Sequence, residues 1–207
     1  MPRTAAREQA DPGRASRKRD EEVVVAATKV FYERGYANAT VQAVADELGI
    51  LKGSLYHYID TKEDLLFWVF EDVHADVERI LEEVSAAEGL DALERIALYV
   101  RLQVAHNLRD LQRMAIYYHE LDRLGKERRA AVVKWRRVHE RYLTGLIEEA
   151  QKAGLADAGM PAAMVANCVF ATIIWPYRWY KGGGGRQADV VTDACVAYIM
   201  RGIAGGF

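Results

Sequence analysis

Two cysteines, four prolines, no long apolar run and no excess of either charge set the first limits on this 207-residue chain. Cys168 and Cys195 are too few for a disulfide framework or a cysteine-built zinc site, which fits a reducing, cytoplasmic compartment. The longest mostly apolar stretch, residues 161–175, falls short of the roughly 20 residues of a membrane span. It also carries Asn167 and Thr172, so it reads as a buried helix and no membrane partner is expected. The N-terminal arginines are followed by no apolar segment and cleavage site, which argues against a secretory leader. Lys and Arg number 28 against 30 Asp and Glu, a net charge of −2, so no global basic field announces nucleic acid. DNA binding would have to come from local arrangement.

Catalytic and metal signatures are equally scarce. His74, His106, His119 and His139 fall on four different expected helices with no doubled Glu-x-x-His, so no metal is expected. Gly182–Gly185 is not followed by Lys-Ser/Thr and is no phosphate loop; no nucleophile elbow or Ser–His–Asp ordering occurs. Neither an enzyme nor a cofactor is expected. Asn38-Ala39-Thr40 matches a glycosylation acceptor, an accident in a cytoplasmic chain.

What the chain does have is apolar residues at three- and four-residue spacing nearly throughout, at 51% hydrophobic content, which predicts an all-α protein able to bury a core. Residues 1–19 read as a flexible arm, because Pro2, Pro12 and Gly13 oppose a helix there. The arm holds Arg3, Arg7, Arg14, Arg17, Lys18 and Arg19 against Glu8 and Asp11, a net of +4. A helix is expected over Asp20–Arg34, with Val24, Ala27, Val30 and Phe31 inward and Gly35 closing it. Thr40 can cap a short helix through Leu48, Gly49 permits a tight turn, and a third helix is expected over Leu51–Tyr58. Thr61 with Asp64 makes a capping-box-like start to a fourth. Residues 20–66 thus form a three-helix unit with a helix-turn-helix at Thr40–Tyr58, and residues 67–207 a helical bundle. Its helices are expected near 61–85, 91–107, 109–123, 126–153, 161–181 and 188–203, with Pro176 kinking one of them.

The segment from Gly49 to Leu65 carries the chemistry. Ile50, Leu55 and Ile59 are spaced to anchor the third helix inward, leaving Lys52, Ser54, Tyr56, His57 and Tyr58 outward. Two phenols, an imidazole and an ammonium on one short exposed helix form a set of donors for phosphate oxygens and base edges. Gly53 removes side-chain bulk there, and no acid lies between Gly49 and Ile59.

Val23-Val24, Ala26-Ala27, Phe31, Glu33-Arg34-Gly35-Tyr36, Thr40-Val41, Val44-Ala45, Leu48-Gly49, Lys52 to Tyr58 and Lys62-Glu63-Asp64-Leu65 together resemble the DNA-binding domain of the TetR family of bacterial transcriptional repressors. The resemblance covers about the first third of the chain. It implies a homodimer that binds a palindromic operator in double-stranded DNA and is released by a small-molecule effector held in the C-terminal helical domain. Carried over position by position, it implies that Thr40 caps the second helix and faces a phosphate, and that Lys52, Gly53 and Ser54 face bases. Tyr56 and Tyr58 would then bond phosphates, His57 a base edge or phosphate, and Lys62 the backbone at the next helix start. Leu51 stands where the family commonly has Ser or Thr, so the recognition helix lacks the usual side-chain cap. Residues 20–66 hold four cations against nine acids, a net of −5, so the basic arm is expected to supplement phosphate binding.

Beyond the head, Tyr117, Trp135, Trp175, Arg178 and Trp179 are the candidate ligand residues. An arginine among aromatic rings can pair with an anionic group while a ring covers an apolar one. The Arg178-Trp179-Tyr180 stretch before the glycines is similar to that of actinobacterial family members that control fatty-acid or steroid breakdown and answer to acyl-CoA thioesters. The last helix, with Val190, Val191, Ala194, Cys195, Ala197, Tyr198 and Ile199, and the 161–180 helix are the candidate four-helix dimer interface. The rival reading is a helical ligand-binding or protein-interaction module whose head does not bind DNA.

Overall fold

The computed structural model describes residues 12–182 and 185–205, and every regular element among them is helical. The chain divides after Val69 into two compact units. Among the described residues no helix is long and apolar enough to cross a membrane.

The first unit contains α1 (Pro12–Arg34), α2 (Val41–Glu47), α3 (Lys52–Leu55) and the first turns of α4 (Lys62–Ala86). α1 starts eight residues before the expected Asp20, and the arm is correspondingly shorter. Proline opposes a helix only in its interior; in the first turn its fixed φ is favourable and its missing N–H would be unpaired anyway. Residues 1–11 of the expected arm lie outside the described residues. Val23, Ala27, Val30 and Phe31 of α1 are buried with Val44 and Ala45 of α2 and with Leu55, Ile59, Leu65 and Leu66, giving the head one apolar core. Gly35 (φ +72°) closes α1 and Gly49 (φ +67°) makes the corner between α2 and α3, the left-handed backbone that both turns require. α3 stops at Leu55, three residues short of the expected Tyr58, and Tyr56–Tyr58 continue as turns. At the start of α4 the Asp64 carboxylate accepts from the backbone N–H of Asp60 (2.8 Å) and of Thr61 (2.6 Å), while Thr61 Oγ1 accepts from the N–H of Asp64. Aspartate thus serves in the capping box.

The second unit begins at Phe70 and comprises the rest of α4, α5 (Ala92–Arg109), α6 (Leu111–His119), a 3-10 turn (Leu121–Arg123), α7 (Lys126–Lys152), α8 (Ala162–Ile174), α9 (Pro176–Trp179) and α10 (Gly185–Ile203). α5 is its central member, packed against α6, α7, α8, α9 and α10. It opens on a complete capping box, Asp91 with Glu94, and buries Ile96, Tyr99, Val100, Val104 and Leu108. The expected 109–123 helix ends at His119, with only the 3-10 turn beyond it. The expected 161–181 helix does more than kink. It ends at Ile174, and Pro176 opens α9, because the proline ring has no N–H for the helical ladder and crowds the preceding turn.

Candidate nucleic-acid interface and ligand cavity

In the head, Thr40 Oγ1 accepts from the backbone N–H of Ala43 (3.1 Å), which caps α2. Leu51 occupies the corresponding place before α3 with no side-chain hydrogen bond. With Leu55 and Ile59 pulled into the core, Lys52, Tyr56, His57 and Tyr58 are exposed and Ser54 is half-buried. Lys52 Nζ lies 5.5 Å from the centre of the Tyr56 ring, so the ammonium and the phenol share one surface. A Cβ on Gly53 would meet nothing within 4 Å, so within the head alone this position is open. Leu51, absent from the sequence candidates, is 80% exposed at the mouth of the same surface. Ile50, Leu55 and Ile59 already fill the inward positions, which was the signal that Leu51 would be left outside.

Lys62 is engaged within the head itself. Its ammonium donates to the carbonyls of Tyr36 (2.7 Å), Ala39 (3.0 Å) and Ala37 (3.3 Å) and lies 4.4 Å over the Tyr36 ring. All three N–H bonds are directed at the loop between α1 and α2, so in the absence of DNA Lys62 holds that loop. Lys29 is likewise tied to Glu47 at 2.6 Å, joining α1 to α2.

The second unit holds a cavity of about 250 Å³, partly open to solvent and walled by side chains of α4, α5, α6, α7 and α8. On α5, Gln103 Nε2 donates to Asn107 Oδ1 (3.2 Å), and Asn107 Nδ2 donates to the carbonyl of Ile173 (2.9 Å). On α7, Arg136 donates through Nη2 to the carbonyl of Tyr117 (3.0 Å) and through Nε to its hydroxyl (3.3 Å), with the guanidinium 4.6 Å over that ring. His139, one turn along α7, is buried, and its pKa is pushed down to about 4 by that burial and then by the charges of His74 and Arg136. The ring is therefore neutral. His139 Nε2 and Gln103 Oε1 have no hydrogen-bond partner among the described residues.

Of the five expected ligand residues, Tyr117 lines this cavity, and the other four stand elsewhere. Trp135 is stacked on His74 with ring centres 4.4 Å apart. Trp175 and Trp179 are 61% and 50% exposed, thrown outward where Pro176 interrupts the helix. Arg178 Nη1 donates to His119 Nε2 (3.3 Å), which also lies 3.0 Å from the Tyr177 hydroxyl. Gln103, Asn107, Arg136 and His139 escaped the sequence reading. The available signal was Gln103 and Asn107 four residues apart within the apolar stripe of α5, a polar interruption on a buried face.

Beside the cavity wall, Arg113 of α6 binds Asp72 and, at 2.6 Å, Asp76 on successive turns of α4. Burial alone would lower its pKa, but the two carboxylates outweigh it and the net shift is upward. His106 Nδ1 stands 3.6 Å from the same Asp76, too far for a hydrogen bond, and burial pushes its pKa down to about 4 despite that carboxylate. Among the described residues no group of three or more His, Cys, Asp or Glu could hold a metal ion.

Residues 23–69 match the family described as bacterial regulatory proteins, tetR family, and residues 89–203 match the tetracyclin repressor-like C-terminal domain. The HTH-type transcriptional repressor KstR2 of Rhodococcus jostii (strain RHA1) is 29% identical over 200 residues, 94% of this chain and 95% of its own. The solved structure of the ketosteroid transcriptional regulator KstR2 of Mycobacterium tuberculosis superposes with a TM-score of 0.81 at 23% identity, over 90% of this chain and 95% of that one. AibR in complex with isovaleryl coenzyme A and operator DNA shares the fold with a TM-score of 0.77 at 24% identity, over 87% of this chain and 97% of that one. With the outward face of α3 in one unit, a cavity in the other and the C-terminal match alone spanning more than half of the residues, the chain belongs to the TetR family of ligand-responsive transcriptional repressors.

Proposed function

We propose that two copies of the chain clasp a palindromic operator, one α3 in each major-groove half-site, and that an acyl-CoA thioester entering the α5–α7 cavity releases them. The observation that carries the DNA-binding half is the division of α3 and the following turn. Leu55 and Ile59 are buried, so Lys52, Tyr56, His57 and Tyr58 emerge from a segment, residues 49–59, that carries no carboxylate of its own. Lys52, Gly53 and Ser54 face base edges, Tyr56, Tyr58 and Thr40 face phosphates, and His57 meets either. Leu51 joins the base-reading group, where an exposed isobutyl group fits the methyl of a thymine. Lys62 acts on DNA only by fixing the loop before Thr40. Cations in the segment before Asp20 supplement the few on the head.

The dimer reading is supported by one apolar face on each of two helices. Met164, Cys168, Ala171 and Trp175 follow the α8 spacing, and Val190, Ala194, Ala197 and Tyr198 that of α10, all of them exposed. Small residues on both faces admit a second pair of helices across a two-fold axis, which also sets the half-site spacing. The effector reading draws on AibR, solved with isovaleryl coenzyme A and operator DNA. A cavity of about 250 Å³ takes an acyl group and not a nucleotide. The nucleotide would lie outside, where exposed Arg178 and Trp179 offer a cation and an aromatic face. Release requires the thioester to favour the dimer geometry that does not fit DNA; equal affinity for both geometries would shift nothing.

The test is fluorescence anisotropy on a labelled duplex from upstream of the protein's own gene, with sedimentation of the complex. Tight binding, two chains per site and release by an acyl-CoA thioester but not by free CoA are expected. Tyr56→Ala is expected to weaken binding about tenfold, roughly 1.4 kcal/mol, with an unchanged melting temperature. Undiminished affinity in that variant would return the head to the rival reading of a module that does not touch DNA.

A further inference from the structure

We propose that Arg136 is an anion receptor, and that the group it receives in the cavity is a carboxylate, borne by a free organic acid or by the far end of an acyl thioester. The inference rests on the cavity being the effector site, as proposed above, and adds the chemistry of the group held there.

The first support is the state of the guanidinium. Tyr117 fixes Arg136 at Nε through its hydroxyl, at Nη2 through its carbonyl and from below through its ring. The planar fork is thereby oriented before any ligand arrives, and Nη1 has no protein partner among the described residues. The second support is a control within the same unit. Arg113, half-buried on α6 as Arg136 is on α7, is met by Asp72 and Asp76, the ordinary solution for a cation partly withdrawn from water. Arg136 lines the cavity and makes no ion pair among the described residues. Glu140 also lines the cavity, but it is exposed and belongs equally to the surface groove along α7 and α8, so its charge is spent largely on water.

The neighbours complete the receptor. His139 lies three residues after Arg136 on the same face of α7, its Nε2 unpartnered, and a neutral imidazole can place its proton there as a donor. Gln103 keeps Nε2 on Asn107 and leaves Oε1 as an acceptor, so it takes no part in holding a carboxylate. A carboxylate bridging Arg136 and His139 would supply acceptors to the two unused donors of α7. Val73, Phe170 and Ile173 make the remainder apolar, so the body of the acid is hydrocarbon.

Calorimetric titration of the full chain with two matched pairs tests the proposal: octanoate against octanamide, and suberyl-CoA, whose acyl chain ends in a carboxylate, against octanoyl-CoA. The acid member of at least one pair is expected to bind ten times more tightly or better. Preference in the first pair points to a free acid, in the second to an acyl thioester. Arg136→Met is expected to erase the preference while leaving binding of the neutral member, and Arg136→Lys to retain part of it. Equal affinities within both pairs, no binding by any probe, or a preference that survives Arg136→Met would each overturn the proposal. The wild-type pairs decide this even where a variant does not fold. The underlying reading fails separately: Ile173→Trp fills the cavity, and if thioesters still release that variant from DNA, the cavity is not the effector site.

Discussion

The two units of this chain treat polar side chains in opposite ways. The head buries Thr28 alone among the polar residues described as buried, and sends its phenols, imidazole and Lys52 to the surface. The second unit buries Gln103, His106, Asn107, His139 and Thr192 within its helices. Burying a polar group without a partner costs free energy, so a fold that does so repeatedly has a use for the space around those groups. The head therefore works on its outside and the second unit on its inside. Residues that matter in the head are expected to change binding with little effect on folding, and those of the second unit to change both.

The strongest challenge to that contrast is Arg113→Ala. It leaves Asp72 and Asp76 facing each other without their cation, and the second unit is expected to lose about 4 kcal/mol, read by denaturant unfolding. Retained stability would mean that this half-buried ion cluster is not structural. Acidification comes next. His106 and His139 have folded pKa values near 4, below the ordinary 6.5, so the unfolded chain binds more protons between those values. Stability is thus fully present above pH 6.5 and lost as the pH falls toward 4, about 2 kcal/mol from each histidine by pH 4.5. Hydrogen exchange at pH 7 and 4.5 should show the second unit opening while the head keeps its protection. A smaller effect is expected from Lys62→Met, which removes the donor shared by three loop carbonyls. The head should lose about 2 kcal/mol in thermal unfolding, while the folded variant retains its operator affinity in the cold. A loss of affinity without a loss of stability would restore Lys62 as a phosphate contact. Leu51→Ala sits at the other extreme, with stability expected to change by less than about 0.5 kcal/mol. Selection of bound sequences from random DNA should nevertheless show a relaxed preference at one base position.

The same contrast explains what could be read in advance. Thr40 as a cap, Gly49 as a corner and the inward Leu55 and Ile59 are local matters, set by spacing within a few residues, and the helix-turn-helix was legible from them. The outward set followed by subtraction. Pro12 misled because the rule against helical proline reverses in the first turn, and Pro176 because a second helix could restart beyond it. Lys62 misled for a different reason. Its partners are carbonyls more than twenty residues away, and backbone acceptors carry no residue-type signature. In the second unit, the conspicuous tryptophans drew attention from the quieter Gln103, Asn107, Arg136 and His139. Aromatic rings are noticed one at a time, whereas a cavity is a relation among five helices.

By itself, then, the sequence determined the helical period, the caps and corners, and hence the short rod of α3 with its chemically loaded face; these depend on neighbours three or four positions apart, and the chain carries that information locally. Only the tertiary structure decided where the empty space lies, which arginine is balanced by acids and which is not, and that Lys62 meets a loop in the head. Those outcomes follow from how α4 to α8 pack and from how a loop folds back on α4, and the partners so assembled lie tens of residues apart along the chain.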